Sequence, residues 1–351
     1  MLDALRLVRA HDNWVLQFWF FGLGACVGSF LNVCIFRLPA GKSIVTPGSH
    51  CACGRPIPWY NNIPIFTWFI LRGKAACCGR KFSFRYPLIE AITAGTFLWL
   101  WTVLPPRLAV PGMVFFSLLL MGAMIDVDHM ILPDATTIGG MFAGVLLSCL
   151  LPQLHGLKPT GFPFADMLQG GIMAVIGIMA GTTVIFWIRE LGELVLKREA
   201  MGYGDILLMG CIGAFCGWQG AVFSIFGGAV AGLIFMMPMM IYARLTGRTP
   251  AAEVATLPTE PPAAKAMESE GAPPAAREAA VPPAPIDGTP VGDDSVEAAP
   301  SPAVFGVEIP FGPWLALGGF LYYAVPWLRW FVDNYFANLR TTIFDPASLF
   351  N

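Results

Sequence analysis

LAVPGMVFFSLLLMGAMID, residues 108–126, carries no charged side chain until it closes on an aspartate. An α-helix needs about 20 apolar residues, each rising about 1.5 Å, to cross roughly 30 Å of hydrocarbon. The stretch is long enough to span a bilayer, and Asp126 falls at its end. Working outward, similar apolar stretches lie near 14–36, 86–104, 132–152, 169–189, 205–218, 221–243 and 309–328. The stretch at 205–218 is short, and its Gly and Trp residues blur its ends. The sequence thus predicts an all-α polytopic membrane protein of about eight transmembrane helices. Composition agrees: 56% of the 351 residues are hydrophobic and 13% charged, too apolar for a soluble domain. The first stretch exceeds a signal-peptide core and lacks a small-x-small cleavage site, so it is read as a helix.

Orientation follows from where Lys and Arg fall. Arg37, Lys42, Arg55, Arg72, Lys74, Arg80, Lys81 and Arg85 crowd the first loop; Arg189, Lys197 and Arg198 precede Asp205; Arg244 and Arg248 follow the seventh stretch. With eight spans these share one side, expected to be cytoplasmic, while the other side's short loops hold only Arg107 and Lys158. Arg6 and Arg9 mildly oppose the resulting external placement of the N-terminus. A formal net charge of −2 gives no global basic field and argues against nucleic acid as a partner.

The chain divides into 14–106, with the first two helices and the loop between them, a membrane core at 108–243, a linker at 249–303, and a last helix at 309–328. Residues 38–85 form a polar insert with its own aromatics, expected to be a small cytoplasmic subdomain after the first helix. A unit that small needs a metal, disulfides or docking to a larger body. Of nine cysteines, Cys51, Cys53, Cys77 and Cys78 lie in this insert, on the reducing side, so structural disulfides are not expected. The tract 249–303 is rich in Ala, Pro and Glu with almost no aromatics, and reads as a disordered linker.

A carboxylate at membrane depth costs several kcal/mol unless it has a partner or a task. In GYGDILLMG, 202–210, Asp205 opens an apolar stretch on the side where Asp126 closes one. Two carboxylates meeting there share a proton, one acting as base and the other as acid, as activation of water and release of an amine require. Gly202 and Gly204 admit close approach of another chain. The plainer alternative is that Asp205 only caps its helix. Asp134, after Pro133, reads as a helix cap; Asp128 reads as solvated, and His129 has no assigned role.

The segments GSFLNVCIFRLP (28–39), NNIPIFTWFILRGK (61–74), FSFRYPLIE (82–90), IDVDHMILPD (125–134), MGYGD (201–205) and IPFGPWLALGG (309–319) together resemble the type IV prepilin peptidase, or leader peptidase, family of bacterial inner membranes. The resemblance implies a GxGD-type aspartic endopeptidase with Asp126 and Asp205 as its catalytic pair. It also implies cleavage of the basic leader of prepilins and pseudopilins after a glycine, at the cytoplasmic side, in type IV pilus or type II secretion systems. Many members then methylate the new N-terminus with S-adenosylmethionine, using a first loop whose two Cys-x-x-Cys pairs would hold a structural zinc. Here the spacing departs from that pattern: Cys53 and Cys78 match second positions, His50 and Ala75 stand at the first, and Cys51 and Cys77 are offset. The candidate ligands are therefore Cys51, Cys53, Cys77 and Cys78, with His50 as a substitute. Leu207 stands where the family often has lysine. Pro310, Phe311, Gly312 and Pro313 should interrupt helix near the pair and offer backbone groups to an extended substrate. Membrane lipids are the other expected partner. The alternatives are a peptidase without methyl transfer, or an ion-coupled transporter, which the placement of both aspartates at span ends disfavours.

Overall fold

The computed structural model describes residues 14–51, 53–197, 201–246 and 310–344; the tract 249–303 lies outside them. Within the described residues the α-helices are α1 Trp14–Arg37, α2 Phe66–Ile70, α3 Arg85–Val103, α4 Pro106–His129, α5 Asp134–Leu150, α6 Pro163–Leu196, α7 Tyr203–Thr246, α8 Gly312–Ala324 and α9 Pro326–Phe344. Among the described residues there is no β-strand, only isolated bridges between His50 and Pro56 and between Lys74 and Lys81. The all-helical expectation holds.

Among the described residues, four segments are long and apolar enough to cross a membrane: α1, α4, α6 and Tyr203–Pro238 of α7. The apolar α5 has 17 residues and α8 only 13, while α3 has 19. The stretches at 205–218 and 221–243 are the two helical parts of α7, divided at Gly217, whose φ of 69° and ψ of −177° fit no helix. A φ that positive suits glycine, which has no Cβ to clash. The stretch at 309–328 is also divided. Val325 is extended (φ −104°, ψ 100°) because the ring of Pro326 excludes helical geometry from the residue before it, so α8 stops and α9 starts afresh.

Packing sets α7 at the centre, against α5, α6 and α8. At the α6–α7 crossing a Cβ on Gly177 would collide with the carbonyl oxygen of Gly213, and one on Gly213 with that of Gly177. Small residues let two backbones meet where lipid gives no hydrophobic drive for association. Farther along, Phe115 of α4 stacks on Phe215 of α7 at 4.7 Å and tilts against Tyr323 of α8 at 5.5 Å. Tyr323 donates its hydroxyl to the Leu108 carbonyl at 2.8 Å, so this buried aromatic layer leaves no phenol unsatisfied. α1 pairs with α3, where Phe20 stacks on Trp101 at 4.0 Å.

The 38–85 insert is tied to that pair. Glu90 of α3 accepts the Ile65 N–H at 2.7 Å, and Asn32 of α1 donates to the Tyr86 carbonyl at 3.1 Å. Ile65 has φ 64° and ψ −59°, a tight turn closed by Phe66 N–H to the Pro64 carbonyl at 2.6 Å. A β-branched residue rarely adopts such geometry. The Glu90 carboxylate secures the turn from below.

Candidate active site

Three helix ends converge. α4 ends at His129, with Met130 in the left-handed region (φ 54°) donating its N–H to the Asp126 carbonyl at 2.9 Å, which places Asp126 in the last turn. α7 begins at Tyr203 and puts Asp205 in its first turn. α8 begins at Gly312. Both aspartates are buried, each 7% exposed. The Gly312 backbone hydrogen-bonds the Asp126 carboxylate, and the Gly202 backbone that of Asp205.

Gly312 lies against both and bounds their mutual distance. A Cβ built on it would lie 2.5 Å from Asp126 Oδ2 and 3.5 Å from Asp205 Oδ1. The two oxygens therefore lie no farther apart than those distances combined, 6.0 Å. Asp126 Oδ2 is buried and has no hydrogen-bond partner among the described residues. Buried carboxylate oxygens without a partner are rare and mark strain, catalysis or a bound solvent molecule.

Asp205 does not act as the residue preceding its helix. It sits inside the first turn and reaches back to the Gly202 backbone, as the third residue of a capping box does. The two loop glycines differ: a Cβ on Gly204 would be 2.9 Å from Leu132 Cβ, whereas one on Gly202 would meet nothing nearer than 3.9 Å. Gly204 lets the segment after α4 lie against α7, and so draws Asp126 toward Asp205. Arg189 of α6 donates from Nε to the Met201 carbonyl at 3.2 Å and pairs with Glu193 at 2.8 Å, bracing the loop before Gly202. The Arg189 Nε–H is aligned on the carbonyl, so the contact with Glu193 is ionic and Glu193 Oε1 accepts no hydrogen bond.

Asp128 differs from the expectation of a solvated side chain. Arg85, at the start of α3, grips it with both terminal nitrogens at 2.7 and 2.6 Å and also reaches the Met124 carbonyl at 3.4 Å. The pair joins the end of the 38–85 insert to the turn that carries Asp126. Two residues far apart in sequence gave no cue to this contact; the Arg in RYP and the second Asp in DVD are its only trace. Asp134 likewise begins α5 rather than capping it from outside, since Pro133 occupies the cap position.

The four insert cysteines come together. Cys51 and Cys78 sulfurs are 3.6 Å apart, Cys53 and Cys77 3.4 Å, and all four lie within 4.8 Å of one another. Four thiolates about 2.3 Å from one tetrahedral zinc ion stand about 3.8 Å from one another, a spacing the set lies close to. A backbone hydrogen bond at Arg55, joined by the Cys77 thiol, draws Cys53 down to about 7, while hydrogen bonds to Cys51 and Cys53 push Cys77 up to about 12. His50 does not join them: its Nδ1 is 3.0 Å from the Gly48 carbonyl. The offset spacing is absorbed by pairing across two short turns, one closed by Cys51 N–H to Arg55 O and Gly54 N–H to Cys51 O, the other by Ala75 N–H to Arg80 O.

Comparison with known proteins matches both halves of the chain. A family model described as Bacterial Peptidase A24 N-terminal domain covers residues 23–104, and one described as Type IV leader peptidase family covers 113–237. A Myxococcus xanthus (strain DK1622) protein named Prepilin leader peptidase/N-methyltransferase is 36% identical over 328 residues, 88% of this chain and 90% of its own. Proteins of the same name from Klebsiella pneumoniae and Pectobacterium carotovorum subsp. carotovorum are 36% and 32% identical, covering 56% and 62% of this chain and 83% and 82% of theirs. No solved structure matches the chain. With Asp126 and Asp205 gathered at one set of helix ends and both domains matched in order, the chain belongs to the type IV leader peptidase family and is a peptidase.

Proposed function

We propose that the protein is an aspartic endopeptidase of the bacterial inner membrane that removes the basic leader of prepilins and pseudopilins after glycine, then methylates the new N-terminus. The observation that carries the proposal is the meeting of Asp126 and Asp205 beside Gly312. One carboxylate, through Asp126 Oδ2, accepts a proton from water as its oxygen adds to the scissile carbonyl carbon. The other gives its proton to the leaving nitrogen as the carbon–nitrogen bond breaks. Pro310, Phe311, Gly312 and Pro313 stand where α8 begins beside the pair and are assigned to substrate binding; Trp314 and Leu315 N–H are already bonded to the Phe311 carbonyl, so the assignment rests on the position of the segment and not on free donors. Gly202 and Gly204 support the pair.

The topology proposed is eight spans: α1, α3, α4, α5, α6, the two parts of α7 and α8. The Lys- and Arg-rich loops and the aspartate pair then share the cytoplasmic side. The tract 249–303 is proposed as a linker between the last two spans. Cys51, Cys53, Cys77 and Cys78 are proposed to bind zinc, which would hold the 38–85 insert together; their sulfur spacing fits the ion. S-adenosylmethionine would supply the methyl group. The groove of about 400 Å³ lined by Val145, Cys149, Met167, Leu168 and their neighbours is apolar throughout and does not fit that cofactor, so no residue is assigned to it.

The experiment is incubation of purified enzyme with a prepilin, with and without S-adenosylmethionine, and mass measurement of the product's N-terminus. Loss of the leader is expected in both, with one added methyl group only in the first. An uncleaved prepilin would refute the peptidase assignment, and a cleaved but unmethylated product would leave a peptidase alone.

A further inference from the structure

α9 is amphipathic in the sense opposite to a helix in water. Leu328, Arg329, Val332, Asp333 and Phe336 turn toward the bundle, and among its described side chains these include the charged ones. Arg329 donates to the Leu154 carbonyl at 2.6 Å, Tyr322 donates its hydroxyl to Asp333 at 2.6 Å, and Phe336 packs on Trp218 at 4.9 Å. The outward face carries Trp327, Trp330, Phe331 and Tyr335, each between 57% and 70% exposed. Their spacing of three, four and eight residues from Trp327 forms one stripe. A helix that turns its charges to partners in the protein and shows aromatic rings outward is not built to face water.

Chain length says where that stripe lies. α8 starts at the aspartate pair and has 13 residues, about 20 Å of helix, against roughly 30 Å of hydrocarbon. α9 therefore begins before the chain has left the bilayer, on the side away from the pair. α1 ends at Arg37, beside the insert that reaches the pair's side, and its other end exposes Trp14 and Phe18, a second aromatic group on the side away from the pair. Trp and Tyr, with an apolar body and one polar atom, concentrate at the boundary between acyl chains and headgroups.

We propose that residues 327–335 of α9 dock in the acyl–headgroup boundary of the leaflet opposite the aspartate pair, aromatic face to lipid. This rests on the reading of α8 as a membrane span. The interaction anchors α8 at its far end, and α8 in turn presents Gly312 to the pair.

The test uses the full chain in phospholipid vesicles with a fluorescent amino acid at position 330 (Trp330→acridonylalanine), at 335 (Tyr335→acridonylalanine) or at 142 in the middle of α5 (Phe142→acridonylalanine). All three native side chains are more than half exposed, so none supports the core. Lipids carry a nitroxide either just below the headgroup or near the bilayer centre, and iodide probes water. Positions 330 and 335 should lose most emission to the shallow nitroxide and little to iodide, while position 142 should show the reverse depth order. Iodide quenching at 330 and 335 without lipid quenching would overturn the proposal, as would protection that appears only at high protein density, which would signal a second copy on the stripe. Iodide quenching at 142 as well would overturn the membrane topology itself.

Discussion

Replacement of Gly312 by alanine tests the active-site geometry with a single methyl group. The added Cβ would stand 2.5 Å from Asp126 Oδ2. A carbon and an oxygen in ordinary contact are about 3.2 Å or more apart, so one of them must retreat by about 0.7 Å. The glycine begins α8 and its own backbone hydrogen-bonds the same carboxylate, so retreat moves Asp126, the start of α8, or both. A displacement approaching 1 Å in a reacting group costs on the order of 10²-fold in rate, or about 2.7 kcal/mol of barrier. Gly312→Ala should therefore lower prepilin cleavage about 10²-fold while the protein still inserts and purifies. Gly95→Ala on α3 is the matched control: nothing lies within 4 Å of its Cβ, and cleavage should stay within about twofold. The assay is the initial rate of leader removal, by mass spectrometry, at equal amounts of purified enzyme. Near-normal cleavage by Gly312→Ala would refute the claim that this glycine sets the aspartates' geometry.

Asp126→Asn and Asp205→Asn should each abolish cleavage without loss of protein, since an amide cannot take water's proton; turnover by either variant in the same assay would overturn the pair. Asp128→Asn should retain activity, but it weakens a two-point grip by Arg85 and should lower the melting temperature in detergent by a few degrees, matched by Arg85→Lys. Purified protein should contain about one zinc per chain by elemental analysis, lost in the Cys53→Ser, Cys78→Ser double variant together with protease resistance of the 38–85 insert. Burial, with Arg329 nearby, pushes His155 down to about 4, from 6.5; only the unfolded chain then takes its proton as pH falls between those values, so stability should decline from about pH 6.5 toward 4, and less steeply in His155→Gln.

Helix positions were legible because a bilayer sets the length of what crosses it, and periodicity need not be resolved. The expected starts and ends fall close to those observed for α1, α3 and α4. Legibility failed where a single residue decides between continuing and stopping. The division of α7 was legible as the gap at 219–220 between two apolar stretches, but not the residue that makes it: Gly217 acts through a backbone angle, which leaves no hydropathy signal. Pro326 could have been read as a stop, yet Val325 and Trp327 on either side kept the apolar average high enough to merge α8 with the start of α9.

The site shows a different limit. Asp126 and Asp205 could be singled out because charge at membrane depth is costly wherever it occurs, so the cost itself marks them. Arg85 and Asp128 are equally polar but stand at helix ends, where a charge carries no such penalty in the sequence; Glu90 is buried one turn inside α3, and nothing in the sequence points from it to Ile65. Their partners come from distant segments, and only the packing of α3 against α1 and α4 brings them together. The cysteines illustrate the converse. Read as two separate motifs, Cys-x-Cys and Cys-Cys are poor chelators, but the close sulfur pairs run between the turns, 51 with 78 and 53 with 77. A metal site depends on where four sulfurs end up, and chain spacing constrains that only when both ligands of a close pair lie on the same turn.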